Sequence, residues 1–571
     1  MFLARFTLSK FLPHRCLHKH ICKMNQAYLR HLDDSEKFEL TFQYVDPAAK
    51  IDRQFNFCRQ VSESVNAFTQ RVATNVEKVI KKKTKNQPQE AVQVAVSVNG
   101  SLVEDETVSC RDIFTRLNNN VTLSVCNKEF KVIINSPWIS GVVLPSSILA
   151  GFPVYPMKFE SVYTDKGVSE FRWFKSVDKK DWTLVGEGFV YETSNSDVGN
   201  FLKLSCLPKC GDVEGPVAEA VSSVKVEAGP GFCPFETRHQ FTTEKCSGDT
   251  FRVVSYNILA DLYCDSDFTR EVLHPYCPPY ALSIDYRKQI FIKEITGYNA
   301  DIICLQEVDR KVYTYDLQPL FEQLNYDSDF CLKRGLVAEG VACFFDKNRF
   351  RKNSSFRLVL SDEISTNPLF ADFFQKISEN EQLSERILDR SSVLQVTVLE
   401  ATDRNEVLVV GNTHLYFHPD ADHIRLLQGA IIVRYLEDVL EELRKKFQKR
   451  VSLILCGDFN SVPECGIYQL YTTGKVQEDH VDFQSKPEES IQMPLRQSIP
   501  LKSACATPKY TNFTAGFADC LDYIYYEAPN FEVTQIVPFP SLEELTQHTA
   551  LPSIVFPSDH IALISDLKWT Q

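Results

Sequence analysis

No stretch of the 571-residue sequence approaches the roughly 18 to 20 uninterrupted apolar residues that a membrane-spanning helix requires. A helical span is therefore excluded. A basic surplus is also missing: 62 Lys and Arg stand against 75 Asp and Glu, a formal net charge of -13. Proteins that coat duplex nucleic acid carry the opposite balance. The acidic balance still permits an enzyme that meets RNA through a local cleft or a bound metal. The 18 cysteines lack the paired spacing of a disulfide framework. Many sit in apolar runs, such as Cys304 in D-I-I-C-L and Cys456 in L-I-L-C-G, as reduced buried thiols do. Cys206 and Cys210 are close, but no second pair or histidine partner follows at zinc-finger spacing. Ser255 and Ser461 lack the G-x-S-x-G surroundings of a serine nucleophile, which argues against a serine hydrolase.

Acids are absent from the N-terminal segment until Asp33. That segment holds Arg5, Lys10, Arg15, Lys19, Lys23 and Arg30, interleaved with Phe2, Leu3, Phe6, Leu8, Phe11 and Leu12. A secretory signal needs a continuous apolar core, which Arg5 and Lys10 interrupt. A basic, amphipathic, acid-poor stretch is the composition of a mitochondrial presequence, and import to the matrix is the expectation.

Length and an ordinary composition, 44% hydrophobic and 24% charged, suit a globular chain of two to four domains. The expected organisation is a disordered presequence over 1–37, a mixed α/β domain over 38–145, a β-sandwich module over 146–230, a linker over 231–249 and a catalytic domain over 250–571. F-E-L-T-F-Q-Y-V (38–45) alternates as a strand does. Val61, Val65, Phe68, Val72, Val76 and Ile80 recur at helical spacing, and Lys81, Lys82, Lys83 and Lys85 read as a solvated loop beyond that helix. Trp173, Tyr191 and the stretch 197–206 resemble half of an immunoglobulin-like sandwich without its inter-sheet disulfide. G-P-G-F-C-P (229–234) opens the expected linker.

Beyond residue 250, apolar runs recur at 252–256, 301–305, 341–345, 393–399, 407–411, 451–456 and 560–567, with an amphipathic stretch at 421–448. Almost wholly apolar runs suit strands covered on both faces, so the expected fold class is α/β: two sheets sandwiched between helices, preceded by β-rich N-terminal domains. Polar residues stand where these runs stop: Asn257, Glu307, His414, and Asp458 with Asn460. Any one would pass as a turn residue, but five at the carboxyl ends of neighbouring strands converge on one sheet edge. Their oxygen donors suit Mg²⁺, or Mn²⁺, over zinc. His414 and His560 add donors for a phosphoryl oxygen.

The motifs S-Y-N-I-L-A (255–260), L-Q-E-V (305–308), N-T-H-L-Y (412–416), G-D-F-N-S (457–461), L-D-Y-I (521–524) and S-D-H (558–560) resemble, in order, those of the exonuclease–endonuclease–phosphatase superfamily. T-H-L-Y-F-H-P and Y-T-N-F-T-A-G-F-A-D-C-L-D-Y-I are similar to its nocturnin and carbon-catabolite-repressor deadenylase branch. H-P-Y-C-P-P-Y-A-L (274–282), G-Y-N-A-D (297–301), L-P-S (551–553) and A-G-F-P-V (150–154) resemble the 2′-phosphodiesterases of that branch. The resemblance implies a metal-dependent phosphodiesterase with water as nucleophile, acting on 2′-5′-linked oligoadenylate and on single-stranded 3′ poly(A), and releasing AMP.

The resemblance also implies roles. Glu307 would be the principal metal ligand, supported by Asn257, which also meets the phosphate. Asp458 would orient and deprotonate water and could touch the metal, and Asn460 would hold a phosphoryl oxygen or the metal shell. His414 would stabilise charge on phosphorus, Asp522 would orient His560, and Asp559 would help bind a second cation. Adenine would lie between Pro419 and Phe517. Three competitors remain: a cytosolic mRNA deadenylase, disfavoured by the acid-free N-terminus and by the absence of leucine-rich repeats; an inositol-phosphate, sphingomyelin or abasic-site hydrolase, disfavoured by T-H-L-Y-F-H-P; and a non-catalytic RNA-binding scaffold, which should have lost at least one motif residue.

Overall fold

The computed structural model describes residues 25–570 except 33, 48, 84–90 and 117–119. Most of the expected presequence, residues 1–24, and Lys85 lie outside the described residues. The chain divides into two compact units: residues up to 141 with 160–170 and 206–218, and residues 142–159, 171–205 and 219–571. The division runs through the segment expected as a single β-sandwich module.

The first unit is a seven-stranded sheet with the helix Val65–Lys83 buried against one face through Phe68, Val72 and Val76. Two expectations change here. Asn25–His31, read as disordered presequence, forms a strand between Lys37–Asp46 and Lys128–Ile134, with Ala27 and Leu29 fully buried. Val61 lies outside the helix, which begins at Val65; Ile51–Gln60 before it is a strand, because all ten residues pair in register with Lys37–Asp46 and bury Phe55 and Phe57. Lys81, Lys82 and Lys83 are the last helical turn, where cations complement the carboxyl-end dipole.

In the second unit, Thr183–Glu187, Glu170–Ser176, Phe201–Leu207 and Ala218–Lys225 form a four-stranded sheet in that order. The expected linker is also structured. Phe235–His239 is a helical turn, and the buried Arg238 donates to the carbonyls of Pro538 and Ala562 and to the Tyr298 hydroxyl. Cys233 and Phe235 are the apolar residues that bind this segment down.

The remainder is built on two six-stranded sheets. The first comprises β1 (Thr250–Asn257), β2 (Ile302–Asp309), β3 (Tyr326–Leu332), β4 (Glu339–Asp346), β11 (Phe531–Ile536) and β12 (Leu563–Trp569), in the order β3-β4-β2-β1-β12-β11. The second comprises β5 (Phe350–Val359), β6 (Val393–Ala401), β7 (Glu406–His414), β8 (Arg450–Asp458), β9 (Leu501–Ser503) and β10 (Asp522–Glu527), in the order β5-β6-β7-β8-β10-β9. Phe251, Val253, Ile302 and Cys304 of one sheet pack with Leu408, Val410, Ile454 and Cys456 of the other. The helix Asp422–Lys446 covers the outer face of the second sheet through Ile424, Leu427, Ile431 and Leu436. β1–β2 and β7–β8 run parallel, so these four strands bring their carboxyl ends to one edge.

One polar pair lies deep in this core. Arg252 donates from Nε and Nη2 to both oxygens of Asp566, at 2.7 and 2.9 Å. Asp566→Ala leaves a buried guanidinium without its anion, and a loss of about 3–5 kcal/mol is expected in urea unfolding. Replacing both partners by apolar residues should cost clearly less.

Candidate active site

Register assembles the site. Asn257 ends β1 opposite Gln306 of β2, His414 ends β7 opposite Asp458 of β8, and Asp458 faces Asp522 of β10. Between the sheets, buried Asn412 donates to the carbonyls of Leu305 and Ala342, at 3.1 and 3.0 Å, and accepts from Gln306 Nε2 at 2.9 Å. The two sheets are therefore locked together beneath the edge that carries the polar residues.

Glu307 and Asp458 come from different sheets, yet Asn257 Nδ2 donates to Glu307 Oε1 and to Asp458 Oδ2, each at 3.0 Å. The amide N–H of Ala260 holds Glu307 Oε2 at 2.9 Å, and that of Asn460 holds Asp458 Oδ1 at 2.9 Å. Both Glu307 (φ 56°) and Asn460 (φ 49°) occupy the left-handed region, a backbone unusual for glutamate but readily adopted by asparagine, and one that recurs at functional sites. Glu307 reaches it through a bulge: the β2–β4 register slips between Leu305 and Val308, which redirects the carboxylate. Asn460 Nδ2 donates to the Leu415 carbonyl at 3.0 Å.

The two histidines are held oppositely. His560 Nδ1 lies 2.8 Å from Asp522 Oδ2, and its Nε2 is 3.6 Å from Asp458 Oδ2. Burial opposes its charge, but Asp522, Asp458 and Asp559 together raise its pKa well above the ordinary value. His414 Nε2 is 3.5 Å from the same Asp458 oxygen, and its Nδ1 is 3.2 Å from Lys333 Nζ. Burial, then Lys333 and His560, lower its pKa well below the ordinary value. An ammonium has no lone pair, so Lys333 donates and Nδ1 accepts; the ring proton of His414 sits on Nε2 and faces Asp458.

Burial, compounded by acid crowding, sets the electrostatics. Burial, then Glu339 and Asp559, push the Glu307 carboxyl up to about 7. Burial, then Asp522, push Asp458 up to about 6. Asp522 Oδ1 and Glu339 Oε2 are buried without a hydrogen-bond partner. Like charges raised by proximity, orphaned carboxylate oxygens and an oxygen-rich donor set together fit a hard divalent cation. Ligand atoms of Asp458, Asp522 and His560 lie within 4.8 Å of one another. However, His560 and Asp522 already share a hydrogen bond, so this trio holds a proton between two of its members.

The remaining expected positions lie at the margins. Asp559 is half-buried, its oxygens 3.3 Å from Asn512 Nδ2 and 3.4 Å from Ser558 Oγ. Pro419 and Phe517 are exposed on separate loops. The turn of Phe517 is closed by the amide of Thr514 donating to its carbonyl, at 2.7 Å. Sequence reasoning missed Lys333, Glu339 and Thr511. Lys333 binds Glu339 at 2.5 Å, and the Thr511 hydroxyl accepts from the amides of Leu521 and Asp522, at 2.8 and 3.0 Å. Lys333 and Glu339 stand in no motif, Thr511 lies within Y-T-N-F-T-A-G-F-A-D-C-L-D-Y-I with no role read from it, and only the fold shows what each one touches.

A family model described as "Endonuclease/Exonuclease/phosphatase family" matches residues 254–560, and one described as "2',5'-phosphodiesterase 12-like, N-terminal domain" matches residues 136–227. The 2',5'-phosphodiesterase 12 of Mus musculus is 37% identical, over 97% of this chain and 95% of that protein. The CCR4-Not complex 3'-5'-exoribonuclease subunit Ccr4 of Schizosaccharomyces pombe is 27% identical, over 56% of this chain and 49% of that protein. Among solved structures, ANGEL2, a 2',3'-cyclic phosphatase, is 23% identical, with a TM-score of 0.47, over 57% of this chain and 97% of that one.

Proposed function

The chain belongs to the endonuclease/exonuclease/phosphatase family, and from that premise we propose that it is a Mg²⁺-dependent enzyme that hydrolyses 2′-5′-linked oligoadenylates and trims 3′ poly(A), releasing AMP. One observation carries the catalytic part: Glu307 and Asp458, 151 residues apart by their numbers (458 − 307), share one Asn257 amide nitrogen. The linkage and base preference are supported by similarity along nearly the whole chain to 2',5'-phosphodiesterase 12 and over the catalytic region to an exoribonuclease.

Glu307 would hold the cation, with Asp458 and Asn257 beside it and Asp559 as a further anion for a second ion. Bound there, the metal supplies charge neutralisation at the phosphoryl oxygens. Asp458, its two oxygens fixed by Asn257 and Asn460, accepts the proton of the attacking water. The Nε2–H groups of His414 and His560 donate toward the non-bridging oxygens, and Asn460 borders the same space. As the water oxygen bonds to phosphorus, the ribose–oxygen bond to phosphorus breaks and the leaving oxygen takes a proton. Exposed Pro419 and Phe517 offer faces for an adenine.

In this scheme Lys333 acts through His414. Lys333→Met should lower kcat about 10-fold or more with KM little changed, as for other residues that orient a site group. In a His414→Asn background the same change should add little. Independent, multiplicative losses would assign Lys333 to the substrate instead.

The deciding assay gives the purified protein matched 2′-5′ and 3′-5′ oligoadenylates with Mg²⁺, then with a chelator, then with Mg²⁺ restored. AMP release that stops and resumes is expected. Cleavage of neither substrate, or undiminished turnover after chelation, overturns the reading. For location we propose the mitochondrial matrix, on the basis of the acid-free N-terminal composition. Because Asn25 already begins a strand, residues 1–24 are the segment to fuse to a reporter in an import assay; a reporter left in the cytosol favours the cytosolic deadenylase.

A further inference from the structure

The four-stranded sheet between residues 170 and 225 buries Phe171, Trp173, Leu202 and Leu204 on one face. Its other face alternates rings with bases. Lys203 Nζ lies 5.1 Å from the Phe174 ring centre and 5.2 Å from that of Trp182. Lys179 Nζ and Lys225 Nζ lie 4.0 and 5.3 Å from the centre of Phe201. Three strands and the hairpin between the first two therefore place three half-buried aromatic rings among three ammonium groups. Lys203 also pairs with Glu219 at 3.1 Å, whereas neither Lys179 nor Lys225 forms an ion pair among the described residues. A chain of net charge -13 thus gathers three lysines, beside Glu219 and the hairpin's own exposed Asp178 and Asp181, on a surface that also offers aromatic faces.

That combination has a chemical meaning. An ammonium over a ring covers that face, so a bound strand would draw the lysine onto its phosphate and take the uncovered ring for a base. Single-stranded nucleic acid needs both elements: positive charge along its backbone and flat apolar faces for its bases. An acidic peptide would use the lysines but leave the rings idle, and a neutral apolar partner would use the rings but strand the lysines.

We propose that this sheet face is an accessory site for single-stranded RNA, which holds the strand whose end enters the catalytic centre. The proposal rests on the reading of the substrate as an oligoadenylate strand. Only substrates longer than a dinucleotide can then benefit, through a lower KM and not a faster chemical step.

The test uses the full chain and two surface variants, Trp182→Ala/Lys203→Ala and Lys179→Glu/Lys225→Glu. Binding of a fluorescein-labelled oligoadenylate of about 16 nucleotides is read by anisotropy in chelator, and steady-state kinetics are read with Mg²⁺ on that strand and on a diadenylate. Both variants should weaken binding about 10-fold and raise KM for the long strand about as much, with diadenylate kinetics unchanged. Unchanged long-strand binding in either variant, or equal losses on the diadenylate, overturns the proposal. A wild-type chain that binds the strand through this face yet cleaves nothing would sink the catalytic reading and leave the accessory site standing.

Discussion

Glu307→Gln and Asp458→Asn should each lower kcat by roughly 10³-fold or more, while the protein melts at the same temperature as the wild type or slightly higher. The rate loss follows from their position. Glu307 is held by the Asn257 side chain and the Ala260 amide, with its backbone set by a strand bulge, and Asp458 contacts Asn257, Asn460 and both histidines. Removing a charge that positions a cation or a water sacrifices about 4 kcal/mol of transition-state stabilisation. The stability gain follows from crowding: burial and like-charged neighbours push Glu307 up to about 7 and Asp458 up to about 6, so each carboxylate is held at a cost to the fold. Neutral amides relieve that repulsion. Single-turnover kinetics and thermal melts in chelator measure the two effects separately. A variant that loses activity only because it unfolds, or that keeps near-normal turnover, removes its residue from the proposed role.

The parts of this molecule that its sequence made legible share a physical cause. β1, β2, β7 and β8 are buried on both faces, so their composition is almost wholly apolar, and the polar residue that ends each run stands out. Elements with mixed environments gave weaker signals. β5 alternates buried and exposed residues and lies at a sheet edge, and Asn25–His31 carries Arg30 beside an acid-free segment whose charge outweighed the short Ala27–Leu29 alternation. Side-chain partnerships across long separations were not legible at all. Lys333 reads as an ordinary surface lysine until β3 and β7 bring it to His414, and Asn412 reads as part of a motif until it proves to clamp one sheet to the other. Glu307 has no glycine nearby to announce its left-handed backbone, because the bulge arises from pairing with β4 and not from local sequence.

Asp522→Asn should cost between about 10² and 10⁴ in kcat with KM nearly unchanged, although the substituted residue would touch no substrate. Asp522 lies directly opposite Asp458 in register, and its strand end is fixed by the Thr511 hydroxyl, so the asparagine should occupy the same place. What changes is the proton on His560. The carboxylate accepts from Nδ1–H at 2.8 Å and supports a positive ring, which leaves Nε2–H free to donate beside Asp458. An asparagine removes the anion and can present its own N–H to Nδ1, so the ring loses the charge it needs at the phosphoryl group. The equivalent substitution behind a catalytic histidine in a serine-protease triad costs about 10⁴ with geometry intact. Residues that act as one unit lose their function once, so His560→Asn should match Asp522→Asn, and the double variant should be no slower than the worse single. Multiplicative losses in that cycle would show that Asp522 works elsewhere, either on the metal through its free Oδ1 or on the fold; metal-affinity and melting measurements on the single variant then tell those two apart.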